Sequence, residues 1–352
     1  MRGSTLPKLN IWILAFGYFA CYWPYSALAK AVSRGIFPGM ENYAFPGREL
    51  GTGLPGAVLL PVSVTTSLIG MLLFITFMGW WRYPKRRSLF GRMMPLPGRW
   101  TFLSGCMTAT IIVTTTLAYT FSGVSIVFVM LLMRGGVLIL GPVVDRITGR
   151  HVRWFSAVGM LLSLGALVVA FSERGGYDIT LICAIDIAAY LTAYFIRLRF
   201  MSKLAKSDDV AGNIRYFVEE QMTATPVTVF ILIVLAVINQ GTLMNNLNYG
   251  FTRFPFESGV FFQTILIGFF SQGTGIFGSL IFLDKQENTF CIPVNRSSSI
   301  LAGVFASYTL AIWLGRPTPS THQLVGAGLI LTAILFLSIP PLIKKRRAQS
   351  VA

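Results

Sequence analysis

The sequence has few charged residues for its length. Only 12% of its 352 residues are charged, whereas soluble domains carry roughly 25%. In contrast, 54% of the residues are hydrophobic, and the mean hydropathy is +0.67. A chain of this composition cannot cover a single core with polar surface, which excludes a soluble globular protein. The surrounding solvent must be largely lipid, so the composition indicates an integral membrane protein.

Histidine, cysteine and the common catalytic motifs are also scarce. The two histidines, His151 and His322, lie far apart in short loops, and the four cysteines show no CxxC spacing. The patterns HxxxxD, DxD and HExxH are absent, and so is the P-loop. We therefore expect no metal, no cofactor and no enzymatic activity. An integral membrane acyl or glycosyl transferase is the alternative from a different class.

Acidic residues number 13 against 29 basic ones, which gives a net charge of +16. In a soluble protein this excess would suggest nucleic acid as a partner. Here the basic residues fall in short stretches between apolar runs, which is the pattern of cytoplasmic loops. We therefore expect no nucleic acid as a partner, and the lipid bilayer as the surroundings.

Ten apolar segments are long enough to cross a bilayer, which takes about 20 residues per helix. Backbone amides in lipid need internal partners, so runs of this length predict helices. The first run could instead end at a signal-peptide cleavage site after Ala27-Leu28-Ala29, but it is longer than a typical apolar signal core. The predicted spans are 11–31, 55–80, 101–120, 123–144, 154–172, 179–197, 222–240, 258–282, 288–314 and 323–343.

The basic residues also predict the orientation of the chain. With ten spans, 21 of them fall on the side that holds the N-terminus and six on the opposite side. Basic segments stay in the cytoplasm. We therefore expect both termini in the cytoplasm and a multi-pass protein of the bacterial inner (plasma) membrane.

Two stretches resemble each other at corresponding places in the two halves. Residues 117–134 (LAYTFSGVSIVFVMLLMR) end in an arginine followed by two glycines, and residues 280–296 (LIFLDKQENTFCIPVNR) end in an arginine followed by two serines. Each stretch contains the end of a span, a very short turn and the start of the next span. The ten spans then divide into two five-span units of opposite orientation, 1–178 and 179–352, as in the inverted repeats of secondary transporters.

In this pattern the chain resembles the drug/metabolite transporter superfamily, whose members are all-α, ten-span carriers built as two inverted five-helix repeats. The superfamily includes EamA-type exporters, nucleotide-sugar transporters and triose-phosphate translocators. Residues 125–146 and 154–171 look like its fourth and fifth helices, especially those of the nucleotide-sugar-transporter-like branch. Residues 295–316 and 324–339 are the counterpart in the second half.

The resemblance implies a secondary carrier that moves a small organic solute by alternating access, as a monomer or a homodimer. The sequence departs from the family at one signature. Many members carry Leu-Gly-Glu at the ends of helices four and nine, where this chain has Val144-Asp145-Arg146 and Leu314-Gly315-Arg316. The departure leaves the subfamily and the substrate open.

Ionisable residues within spans cost about 2.5 to 3.5 kcal/mol each to insert, so they are functional candidates. Arg134 falls near the middle of span four, Arg296 in span nine and Asp186 in span six. One hypothesis is that the two arginines line a central cavity and hold an anionic group, because a guanidinium is a planar fork of donors. The alternative is that each arginine binds carbonyls or Asp186 and holds helices together. Asp186 could also be a proton-coupling group.

Uncharged polar residues extend this candidate site. Tyr190 and Tyr194 are four residues apart and share a helical face with Asp186, which predicts a cavity wall. Hydroxyls and amides in spans three and eight either line the same pathway or bridge helices. The arginines favour an anionic metabolite as solute, with an amino acid or a drug as the alternative. The predicted substrate-binding residues are Arg134, Arg296, Asp186, Tyr190, Tyr194, Tyr119, Thr115 and Gln272.

Overall fold

The computed structural model describes residues 10–40, 45, 53–89, 92–117, 126–172, 181–257, 259–315 and 321–349. This part of the chain is mainly helical. The helices are α1 (Ile11–Ser33), α2 (Gly56–Phe77), α3 (Arg99–Leu117), α4 (Ile126–Ile147), α5 (Trp154–Phe171), α6 (Leu181–Leu204), α7 (Val210–Ile238), α8 (Gly241–Thr252), α9 (Phe254–Glu257), α10 (Phe261–Phe282), α11 (Asn288–Leu314) and α12 (Thr321–Gln349). A short 3-10 helix (Trp80–Arg82) and an antiparallel hairpin of β1 (Arg86–Leu89) and β2 (Arg92–Pro95) lie between α2 and α3.

Six of these helices, α1, α2, α6, α7, α10 and α11, are long and apolar enough to cross a membrane. Large apolar side chains also point outward, for example Phe77 (90% exposed), Val237 (75%) and Ile312 (76%). An apolar surface of this extent is favourable in contact with lipid and unfavourable in contact with water. The chain is therefore an all-α, multi-pass membrane protein. Helices α3, α4, α5 and α12 overlap the other four predicted spans, and their crossing of the membrane stays a prediction.

Helices α6 and α7 extend beyond the predicted spans. Helix α6 continues to Leu204 and α7 already begins at Val210, so most of residues 198–221, which lie between two predicted spans, belong to these two helices. The difference has a physical cause. Glu219 and Glu220 are buried and hydrogen-bonded inside the bundle, so their charges do not end the helix as hydropathy suggests.

The helices pack in a pattern that interleaves the two predicted halves. Helix α1 packs on α10 and α11, whereas α6 packs on α3 and α4. Helix α2 packs on α10, and α3 packs on α7; α5 pairs with α12, α4 with α11, and α2 with α7. Glycines permit two of these contacts, because a Cβ on Gly268 would lie 2.5 Å from the Ser63 carbonyl oxygen and one on Gly105 would lie 2.8 Å from that of Glu220. The division at residue 178 stays a prediction.

Candidate substrate-binding site

One face of α6 is polar and points into the bundle. Asp186, Tyr190, Tyr194 and Arg197 follow one another at intervals of four, four and three residues, and all are at most 7% exposed. Residues at such spacing share one helical face. The opposite face carries apolar, exposed side chains such as Leu181. Helix α6 therefore presents its polar side to the protein and its apolar side to lipid.

A first arginine lies against a pair of tyrosines on α1. Tyr18 and Tyr22 are four residues apart, and their rings stack with centroids 5.6 Å apart. Arg134 of α4 donates a hydrogen bond from Nη2 to the Tyr22 hydroxyl at 2.6 Å. Its Cζ atom lies 5.9 Å from the Tyr22 ring centroid, within the range of a cation–π contact. Arg134 is thus positioned by α1.

A second arginine repeats this arrangement on α6. Tyr190 and Tyr194 are also four residues apart, with ring centroids separated by 4.9 Å. The Cζ atom of Arg296, on α11, lies 5.4 Å from the Tyr194 ring centroid. Tyr18 and Tyr190 each lie within electrostatic reach of both arginines, so the two groups adjoin. We call this set the arginine–tyrosine cluster; its members are Tyr18, Tyr22, Arg134, Tyr190, Tyr194 and Arg296.

Several polar atoms beside this cluster lack hydrogen-bond partners. Arg296 is only 7% exposed, yet its Nε and Nη2 atoms have no partner within the described ranges. The same holds for Asn295 Nδ2 and Ser297 Oγ, its neighbours on α11. Leaving a buried donor unsatisfied costs about 1 to 3 kcal/mol, and more for a charged group. The two unpaired guanidinium nitrogens of Arg296 are suited to bind a carboxylate, phosphate or sulfonate group.

Asp186 is buried apart from either arginine. It is 6% exposed, and neither carboxylate oxygen has a hydrogen-bond partner in the part of the chain that the structure describes. Neither Arg134 nor Arg296 therefore links two helices through a hydrogen bond to Asp186. Asp186 shares its helical face with Tyr190 and Tyr194, as the spacing predicts.

The remaining predicted site residues have other contacts. Thr115 donates from Oγ1 to the Ile111 carbonyl of its own helix at 2.6 Å. Gln272 donates from Nε2 to the Met71 sulfur at 3.4 Å, so it packs on α2. Tyr119 lies outside the described residues. The structure therefore brings together Arg134, Arg296, Tyr190 and Tyr194, and adds Tyr18 and Tyr22, which the sequence analysis did not select.

A second polar region lies where α4, α6 and α10 end and where α3, α5, α7 and α11 begin; we call this end the base. Arg197 donates from Nε and Nη2 to the two Glu220 oxygens at 2.9 and 3.0 Å. The side chains of this ion pair are 5% and 0% exposed. Ser104 and Thr108 of α3 also donate to Glu220, at 2.7 and 3.3 Å. The pair therefore joins α3, α6 and α7.

The predicted span six ends at Arg197 and the next begins at residue 222, so Arg197 stood at the edge of a span and Glu220 in the segment between spans. The helical interval of three from Tyr194 to Arg197 was the signal that could have placed Arg197 on the polar face of α6. Its neighbour Glu219 accepts from the backbone nitrogens of Lys85 and Gly98, at 3.3 and 3.1 Å, and from Thr101 Oγ1 at 2.7 Å. Glu219 thereby fixes the segment around the β-hairpin to α7.

Asp145 binds the start of α11. Its Oδ1 accepts from the backbone and side-chain nitrogens of Asn288 at 2.9 and 2.7 Å, and its Oδ2 accepts from the nitrogen and hydroxyl of Thr289, both at 2.7 Å. A helix start presents free N–H groups, which a carboxylate satisfies. Asp145 is one of the residues at which the chain departs from the family's Leu-Gly-Glu signature, and here it joins α4 to α11.

Further contacts complete the base. Arg150 donates to the carbonyl oxygens of Lys285, Ser202 and Lys206, each at 3.1 Å. Glu287 accepts from Arg153 at 2.7 Å and from Ser156 at 2.6 Å. Burial disfavours the Glu287 carboxylate, but these hydrogen bonds outweigh it and hold the pKa of the carboxyl below its usual value. These contacts satisfy every buried carboxylate of the base among the described residues, whereas Asn288 Oδ1 is buried there without a hydrogen-bond partner.

Comparison with known proteins adds evidence on the fold alone. No family model and no curated protein matches the chain. A crystal structure described only as that of a protein aligns with 95% of this chain and 97% of its own, with a TM-score of 0.54 and 13% sequence identity. At this identity the likeness shows a shared fold over nearly the whole length of both chains.

Proposed function

We propose that this chain is a secondary carrier of the drug/metabolite transporter type, which moves a small organic anion across the membrane by alternating access. The observation that carries the proposal is Arg296. It is buried in the bundle, yet its Nε and Nη2 atoms lack partners in the described part of the chain. A buried guanidinium with unused donors is costly to the empty protein, and a bound anion would satisfy it.

The packing pattern supports ten spans arranged as two inverted repeats. Exchanging the first five spans for the second five turns the contacts of α1 with α10 and α11 into those of α6 with α3 and α4. The same exchange turns the contact of α2 with α10 into that of α7 with α3. It also turns Tyr18, Tyr22 and Arg134 into Tyr190, Tyr194 and Arg296. Inverted repeats of this kind form a central solute site at the interface between the halves.

The proposal also assigns an orientation and a conformational state. The excess of basic residues on one side puts both termini and the base in the cytoplasm, in a bacterial inner membrane. In this proposal the hydrogen bonds of Asp145, Arg150 and Glu287 close the base and separate the cluster from the cytoplasm. Alternating access then requires these base contacts to break.

The test is solute binding followed by transport. We expect small carboxylates, phosphate esters or sulfonates to raise the unfolding temperature of the purified protein, and neutral analogues of the same shape to leave it unchanged. An anion that does so should enter proteoliposomes faster than protein-free vesicles. Arg296→Gln and Arg134→Gln should each weaken its binding about tenfold or more, because each removes a charged hydrogen-bond donor.

A matched control is Lys285→Gln, which removes a cation that is 59% exposed at the base. It should leave binding of the anion unchanged. Equal stabilisation by neutral analogues, or equal anion binding by the arginine variants and the wild type, would contradict the proposal.

A further inference from the structure

Asp186 differs from every other buried carboxylate in the described part of the chain. Asp145 and Glu220 each accept four hydrogen bonds, Glu219 accepts three and Glu287 accepts two. Asp186 is 6% exposed, as Glu287 is, and accepts none from the described residues. No described residue therefore donates a hydrogen bond that would stabilise its negative charge.

Among the described residues on the helices that pack against α6, no opposite charge pairs with Asp186 either. Helices α3 and α4 pack on α6. The ionisable residues of α3 are Arg99 and Cys106, and those of α4 are Arg134, Asp145 and Arg146. None of them forms a hydrogen bond to the Asp186 oxygens. On α6 itself, the thiol of Cys183 lies one turn before Asp186 and interacts with it electrostatically. The other ionisable groups of this helix are Tyr190, Tyr194, Arg197, Arg199 and Lys203. An unpaired buried carboxylate costs several kcal/mol when ionised, so this state favours the neutral, protonated form.

A proton fits this site better than a metal ion does. Cations such as Na⁺ or Ca²⁺ need several oxygen ligands around them. The described residues contain no group of three or more His, Cys, Asp or Glu side chains that could hold a metal ion, and none of their hydroxyl groups donates to Asp186. A proton needs only one carboxylate oxygen, which Asp186 provides.

The position of Asp186 links it to the arginine–tyrosine cluster. It lies one helical turn, about 6 Å along the axis, from Tyr190, whose ring packs on Tyr194 beside Arg296. In α1 the residue four positions before the first tyrosine is Leu14, an apolar side chain that is 4% exposed. The two tyrosine pairs are thus alike, but one of them alone is preceded by a carboxyl group.

We propose that Asp186 is a proton-binding site that couples the movement of the organic anion to the movement of a proton in the same direction. This inference rests on the proposed carrier function. An anion bound at the cluster adds a negative charge near Asp186 and thereby favours its protonated form. By linkage, the proton favours binding of the anion to the same extent. The proton is taken up from water on the side to which the site is open and is released with the anion on the other side.

The probe for this coupling is benzenesulfonate, an aromatic anion that stays ionised over the whole pH range used. Any proton taken up when it binds must therefore go to the protein. We expect its affinity for the wild type to rise as pH falls through the range in which Asp186 is ionised in the solute-free protein, by up to about tenfold per pH unit for one linked proton. At a pH high enough to ionise Asp186 before the anion binds, adding benzenesulfonate to the wild-type protein in weakly buffered solution should raise the pH of the solution.

Two variants separate Asp186 from other carboxylates. Asp186→Asn should bind benzenesulfonate with an affinity that does not change with pH, whereas Asp208→Asn, which removes a carboxylate that is 65% exposed, should keep the wild-type pH dependence. The infrared carbonyl band of a protonated carboxyl should be present in the wild type without solute and weaker in Asp186→Asn. Retention of the full pH dependence by Asp186→Asn would overturn the proposal.

Failure of the carrier function gives a different result. If benzenesulfonate does not bind the wild type at any pH, the proposal that the cluster binds an organic anion is wrong. The infrared comparison then still decides whether Asp186 holds a proton. A wild-type spectrum without that band from mildly acidic to mildly alkaline pH would show an ionised Asp186 and would overturn the inference.

Discussion

Two buried polar regions of this bundle differ in whether their charged groups have hydrogen-bond partners. At the base, Glu220 is fully enclosed and accepts four hydrogen bonds, two of them from Arg197. In the arginine–tyrosine cluster, Arg296 is similarly buried but has two nitrogens without partners in the described residues. The two regions share helices α4, α6 and α11.

The difference indicates different roles. In a medium of low dielectric constant a polar network is stable only when its members satisfy one another. At the base, described residues satisfy all four buried carboxylates without any added molecule, although Asn288 Oδ1 has no partner there, so the base joins helices. In the cluster, two Arg296 nitrogens have no partner among the described residues, and we infer that a solute supplies one. The predictions below test this contrast in order of decreasing effect on stability.

The largest effect is expected from breaking the buried ion pair at the base. Glu220→Gln leaves Arg197 charged and unpaired, which typically costs about 3 to 5 kcal/mol. Thermal unfolding of the purified protein should show this loss. The double variant Arg197→Met with Glu220→Leu should be more stable than the single variant, because it removes both charges together. A single variant as stable as the wild type would contradict the structural role of the base.

Asp145→Asn should have a smaller effect. The asparagine keeps one acceptor oxygen but places an amide beside the donors of Thr289, at a cost of about 1 to 3 kcal/mol. We also expect the base to open more often. Cys291 is fully buried there, so its labelling by a maleimide, followed by peptide mass spectrometry, should become faster. Unchanged labelling would show that Asp145 does not hold the base closed.

Glu287 should give a smaller and pH-dependent effect. Its pKa in the folded protein is held below the usual value, so its contribution to stability is present at neutral pH and is lost as pH falls through that pKa. Arg153, its partner, is 33% exposed, which weakens the pair by solvent screening. Glu287→Gln should therefore unfold with a shallower dependence on acid pH than the wild type. An identical acid profile would contradict this assignment.

The smallest effect on stability is expected at Arg296, despite its burial. Arg296→Gln removes a cation–π contact and an unsatisfied charge, whose effects oppose each other within about 1 kcal/mol. Arg197→Gln, the same change in the base, should be destabilising. Similar unfolding temperatures for Arg296→Gln and Arg197→Gln would remove the distinction between the two regions.

Sequence patterns predicted part of the candidate site. The interval of four residues predicted that Tyr190 and Tyr194 share a face with Asp186, and the structure places them so. Tyr18 and Tyr22 were not selected, because aromatic residues at helical spacing are common in apolar spans. Arg197 was placed at the very end of a span and Glu220 in the segment that follows it, since hydropathy places charges outside spans and cannot recognise charges that neutralise each other.

The sequence by itself determined that the protein is helical and embedded in lipid. Hydropathy is a local property, and a backbone in hydrocarbon must form its hydrogen bonds within the same segment. Only the tertiary structure decided which buried charges are paired. Pairing depends on side chains that are distant in sequence, as Arg197 with Glu220 and Asp145 with Thr289, and on the absence of such a partner at Asp186 within the described residues.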